Sequence, residues 1–117
     1  MTTMTPAELL AAWDAGEQPE RVAVRAVVKA SLAELVEKAP GRAVEVRIPP
    51  HAAVQAVEGG THRRGTPPAV VECDARTWLE LATGRLAWAD AVADGRVRAS
   101  GERSDLSTLL PLDLPSS

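Results

Sequence analysis

The chain alternates between two hydrophobic periods, and each change of period marks an element. "TPAE" places Thr5 ahead of a proline at the first helical position and Glu8 three residues on, the pattern of a capping box. Leu9, Leu10 and Trp13 follow as one apolar face, so a helix is predicted over 5–15, closed at Gly16. A longer helix is predicted over 20–38. There Val24, Val27, Val28, Leu32, Leu35 and Val36 recur at helical spacing, Arg21, Arg25 and Lys29 take another face, and Pro40-Gly41 ends the run. The period then drops to two. In "AVEVRI" Val44, Val46 and Ile48 point one way and Glu45 and Arg47 the other, which predicts a half-buried strand over 44–48. "AAVQAV" predicts a second strand over 52–57 and "AVVEC" a third over 69–73. The glycine- and proline-rich "GGTHRRGTPP" between them reads as the tip of a hairpin in a meander.

The second half is punctuated by glycines. Asp74 caps a predicted helix over 75–83 with Trp78, Leu79 and Ala82 inward, and Gly84 closes it. A short helix over 86–93 closes at Gly95, and "RVRASG" predicts a strand over 96–100 with Val97 and Ala99 inward. Ser104 caps a last helix over 104–110, whose Leu106, Leu109 and Leu110 form an apolar stripe before Pro111. The tail 113–117 is expected to be disordered. With 117 residues and no linker or repeat, the expectation is one α+β domain spanning 1–117.

Composition changes the picture of the interior. The apolar fraction of 45% rests on 21 alanines and 13 valines, with three tryptophans and neither Phe nor Tyr. Small side chains let elements approach closely but fill volume poorly, so the core is either tight and small or hollow. The net charge of −3 gives no electrostatic footprint for nucleic acid. A single cysteine excludes an internal disulfide. The start of the chain lacks the basic and apolar regions of a signal peptide, and no apolar run is long enough for an integral membrane segment. The expected location is cytoplasmic.

Candidate chemistry is sparse. Cys73 lies between Glu72 and Asp74, whose charges raise a thiol's pKa where a nucleophile needs it lowered, so it reads as a small buried hydrophobe. His51 and His62 have no Cys or carboxylate at ligand spacing, which argues against a metal. Gly59-Gly60 matches neither a Walker loop nor a dinucleotide fingerprint. Asp90 and Asp94 fall on the exposed side of a short helix. The cluster His62-Arg63-Arg64 either meets an anionic group or is a solvated loop tip. No catalyst and no cofactor site emerges, and the expectation is a protein that is not an enzyme.

One segment is more specific. In "WLELATGRLAWADAVADGRVRASG" Thr83-Gly84-Arg85 makes one glycine turn, Asp94-Gly95-Arg96 a second and Ser100-Gly101-Glu102 a third, followed by a leucine-rich terminus. This series resembles the sterol carrier protein family, with Glu102 in place of a usual Asp, and the match is most specific over 69–110. The chain reads as a stand-alone bacterial member, and its arginine- and alanine-rich composition suggests an actinobacterial one. The resemblance implies a curved, mostly antiparallel sheet of about five strands covered by helices on one face, with a hydrophobic tunnel between the layers. It also implies binding of a fatty acyl, acyl-CoA or sterol-like lipid without cofactor or catalysis.

The expected ligand-binding residues are Val44, Val46, Ile48 and Val54 on one wall, Trp78 and Trp88 on the paired short helices, and Leu106, Leu109 and Leu110 as the opposite wall or lid. The alternative is a protein-interaction or dimerisation module with a filled core, its apolar surface meeting a partner or a second copy in a homodimer.

Overall fold

A computed structural model describes residues 4–59 and 68–114. The first helix, α1 (Pro6–Asp14), starts as the capping box requires: Glu8 N–H donates to Thr5 Oγ1 at 3.1 Å and Thr5 N–H donates to Glu8 Oε1 at 2.9 Å. The second, α2 (Arg21–Lys38), buries Val24, Val27, Val28, Leu32 and Leu35 along one stripe. Strands β1 (Val44–Ile48), β2 (Ala52–Ala56) and β3 (Ala69–Glu72) lead to α3 (Ala75–Ala82), α4 (Trp88–Ala93) and β4 (Arg98–Ser100). Asp74 caps α3 by accepting from Thr77 N–H at 2.7 Å.

The sheet corrects two expectations. Among the described residues it has four strands, in the order β2-β1-β3-β4, rather than five. The β1–β2 and β3–β4 pairs are antiparallel, but β1 and β3 run parallel, Val44 opposite Ala69 and Val46 opposite Val71. The chain therefore does not meander from β2 into β3; it crosses back so that β3 pairs with β1. Alternation tells which faces of a strand are buried but is blind to which neighbour supplies its hydrogen bonds. The expected hairpin tip, with His62-Arg63-Arg64, falls at 60–67, outside the described residues.

Register gives the sheet two unlike faces. Val44, Val46 and Ile48 share one face with Ala56, Val54 and Ala52 of β2 and with Ala69 and Val71 of β3. That face is covered, and Val44, Val46, Ile48, Ala56 and Val71 are fully buried. Arg47, Ala53 and Gln55 on the other face are exposed. α2 packs against β2 and α3, and α1 packs against α3, so the helices form one layer. In β4 the expected inward Ala99 is exposed, whereas Val97, just before the strand, is buried.

The last predicted helix is absent as well. Residues 104–114 carry a turn, with Leu109 N–H donating to Leu106 C=O at 2.9 Å. Ser107 N–H donates to the Asp105 carboxylate at 2.8 Å, a local bond that competes with helical pairing. Seven residues before a proline are too few to repay helix nucleation. The segment is nonetheless docked: Leu112 N–H donates to Ala82 C=O at 2.8 Å and Lys38 Nζ donates to Leu109 C=O at 2.7 Å. Gly84, at φ +84°, makes the seat for it, since a Cβ there would sit 3.2 Å from Pro111.

Candidate functional site

The nine expected ligand residues gather in one apolar body. Val44, Val46, Ile48, Trp78 and Leu106 are fully buried in it, and Val54, Trp88, Leu109 and Leu110 pack against it partly exposed. One polar bond crosses this interior. Trp78 Nε1 donates to Ser31 Oγ at 2.8 Å, and Ser31 Oγ donates to Val28 C=O at 2.8 Å, which anchors the indole of α3 to α2. Trp78 and Ser31 are thus buried without an unmet donor.

Beside the apolar body lies a ring of charges that periodicity did not reveal. Glu80, 8% exposed, receives Arg96 directly, and its Oε2 lies 3.8 Å from Arg85 Nε and 3.9 Å from Arg76 Nε. Arg96 Nε also donates to Thr77 Oγ1 at 3.2 Å. Asp14, at the end of α1, receives Arg85 Nη2 on both oxygens at 2.7 Å and Arg76 Nη2 at 2.9 Å. The Arg85 guanidinium holds the Asp14 carboxyl below the ordinary carboxylate value, and Asp14 in turn raises Arg85. The two glycine turns of the segment 78–101 therefore have a structural purpose. Thr83-Gly84-Arg85 and Asp94-Gly95-Arg96 each end a helix and deliver an arginine to the same glutamate. The sequence signal was available: two helix-stopping glycines each followed by arginine, and one carboxylate set within the apolar run "TWLELA".

The reactive side chains are quiet. Burial, with the nearby charges of Asp74 and Glu72 and against that of Arg96, pushes the Cys73 thiol up to about 12. His51 is held below its ordinary value by burial and by the charges of Arg21 and Arg25. Among the described residues no three His, Cys, Asp or Glu side chains come together as a metal set. Two grooves open to solvent. One of about 420 Å³ lies along β3 and β4 beside Val92, and one of about 310 Å³ lies between the end of α2 and Leu112. Neither is lined by the nine expected residues.

The sheet with α2, α3 and α4, the glycine–arginine turns and the leucine-rich terminus as far as Leu112 fall within residues 20–112, the span matched by the family described as bacterial SCP ortholog. The chain belongs to this sterol-carrier-protein-like family. The matched span begins at the residue before α2, so α1 with Asp14 lies outside it. A search among curated proteins finds no match. No helix among the described residues is long and apolar enough to cross a membrane. Sterol-carrier-like domains are generally non-catalytic, and the family suggests a lipid-carrier role.

Proposed function

We propose that this chain is a non-enzymatic carrier of a hydrophobic small molecule, a fatty acyl, acyl-CoA or sterol-like lipid, working in the cytoplasm. The observation that carries the reading is the family match over residues 20–112, which takes in the sheet and α2, α3 and α4. The ligand is proposed to lie between the covered face of the sheet and the helices, against Val44, Val46, Ile48, Val54, Trp78 and Trp88. Leu106, Leu109 and Leu110 act as its cover.

Access requires the layers to part, and the 104–114 segment is suited to that. It has no helix or strand of its own; its hydrogen bonds to the rest of the chain run to an exposed lysine and to Ala82 C=O, and the buried Leu106 and Leu112 hold it by packing. Detaching it breaks few hydrogen bonds. Alanine- and valine-rich walls also leave room for an apolar guest once separated, because their side chains are short.

A second reading draws on one observation. Val44, Val46, Ile48, Trp78 and Leu106 are all fully buried with the protein's own atoms around them, as in a filled core. On that reading the chain is an interaction or dimerisation module without a ligand. Native mass spectrometry of protein purified from cells, together with displacement of a fluorescent fatty acid, separates the two. Co-purified lipid or micromolar displacement supports the carrier. Absence of both removes it and leaves the module.

A further inference from the structure

α1 lies outside the matched family span, yet it places Leu9 and Leu10 in the core at 0% and 3% exposure. Its last residue, Asp14, puts both carboxylate oxygens against Arg85 and one against Arg76. The arginines that receive it come from elements other than α1, Arg76 from α3 and Arg85 from the first glycine turn, and Arg96 beside them comes from the second. Glu80 bonds Arg96 and lies 3.8–3.9 Å from the other two guanidiniums, whose own hydrogen bonds go to Asp14. Three guanidiniums facing Glu80 alone carry a net of two positive charges, and Asp14 neutralises one of them. Two buried leucines followed one turn later by a carboxylate seated between arginines set an apolar group and an anionic head side by side, as a fatty acid does.

We infer that α1 occupies the place of an acyl ligand: Arg76 and Arg85 form a head-group site for a single-chain carboxylate, and Leu9 and Leu10 fill the space its chain would take. The inference rests on the carrier reading and adds to it a named head-group site and a competitor built into the chain. The charges favour a carboxylate because a carboxylate already sits in the fork with two-pronged geometry.

α1 yields where a guest chain takes over the space of Leu9 and Leu10. The Asp14 side chain is 41% exposed, and ion pairs so open to water bind weakly because water solvates the separated charges. Gly16, at φ +80° with open space around it, lies in a mostly exposed link, 15–20, that lets α1 swing as a unit. Its nine residues are too few for a stable isolated helix, so α1 keeps its form only while docked.

The test compares decanoate with decanol, which share a chain and differ in charge, by calorimetry on the full-length chain and its variants. Asp14→Asn removes the competitor and is expected to tighten decanoate roughly two- to fivefold. Arg85→Gln, checked for folding by circular dichroism, is expected to weaken it about two- to fivefold. Decanol affinity should be the same in all three proteins. Hydrogen exchange on the unmodified chain gives a second readout: saturating decanoate should strip protection from amides 9–14, and acetate should not. Equal decanoate affinity in the three proteins, or α1 protection unchanged at saturation, overturns the inference while leaving the carrier reading intact. Opening of α1 by acetate overturns the acyl assignment. Failure of both decanoate and decanol to bind any of the proteins overturns the carrier reading and this inference with it.

Discussion

The bond between Trp78 and Ser31 is the most exacting test of how this interior is held together. Ser31→Ala removes the acceptor of a fully buried indole N–H and leaves that donor without its partner. An orphaned buried donor costs about 1–3 kcal/mol. Alanine is the better helix former in the middle of α2, which returns about 0.5 kcal/mol. The net expectation is a loss of about 0.5–2.5 kcal/mol, a large share of the roughly 5–15 kcal/mol that such a domain has in total. Trp78→Phe behaves differently. It removes the donor, leaves Ser31 still bonded to Val28 C=O, and costs about 1–3 kcal/mol through the void left by the smaller ring. If the hydrogen bond is the link, the double variant loses less than the sum of the two by about 1 kcal/mol. Urea unfolding followed by far-UV circular dichroism measures all three without relying on tryptophan emission, and the midpoint in heat should fall about 4 °C per kcal/mol. A Ser31→Ala protein within about 0.5 kcal/mol of the parent, or a strictly additive cycle, refutes the argument.

Three further outcomes are expected. Leu106→Ala should cost about 2–5 kcal/mol because the side chain is fully enclosed, and Leu109→Ala and Leu110→Ala clearly less because both are partly exposed; if Leu109→Ala equals Leu106→Ala in denaturant titration, the terminal segment is plain core rather than a cover. Cys73, held at about 12 against an ordinary 9.0, exposes at pH 8 roughly a thousandfold less thiolate than a free cysteine, so iodoacetamide should label it only once the chain is unfolded, and rapid labelling of folded protein counts against its burial. Acid should destabilise the fold in two windows. His51 has a depressed folded value, so its neutral form favours folding and stability falls as pH drops below about 6.5; Asp14 is likewise depressed, so its contribution stands above 3.8 and is lost as pH falls through its folded value, a slope that Asp14→Asn should flatten in pH-dependent thermal unfolding.

Local physics carried much of the way from residues to elements. The capping box at Thr5 and Glu8, the apolar stripe of α2, the alternation of β1 and the cap at Asp74 are each decided within a few residues, and each formed where the pattern placed it. The thiol's inertness was legible in part: burial, which the fold decides, is its largest cause, and the charge of the sequence neighbours Asp74 and Glu72 pushes the same way whatever the fold. The terminal helix was not legible, because its stripe of leucines satisfies helical spacing while the Asp105–Ser107 bond and Pro111 make a turn cheaper over so short a run.

What only the tertiary structure decided lies at long sequence separation. Strand alternation is identical whether β3 joins β2 or β1, so the parallel β1–β3 pairing had to come from three dimensions. Asp14 meets Arg85 across 71 residues, Glu80 meets Arg96 across 16, and Trp78 finds Ser31 across 47. Charges on separate helices carry no periodicity that ties one to another, and a serine in mid-helix does not announce the indole it will receive. Local pattern reflects the free energy of nearby backbone and of one buried face. Which distant side chains share a site is set by how those faces close on one another, and in this protein the arginine fork exists only after that closure.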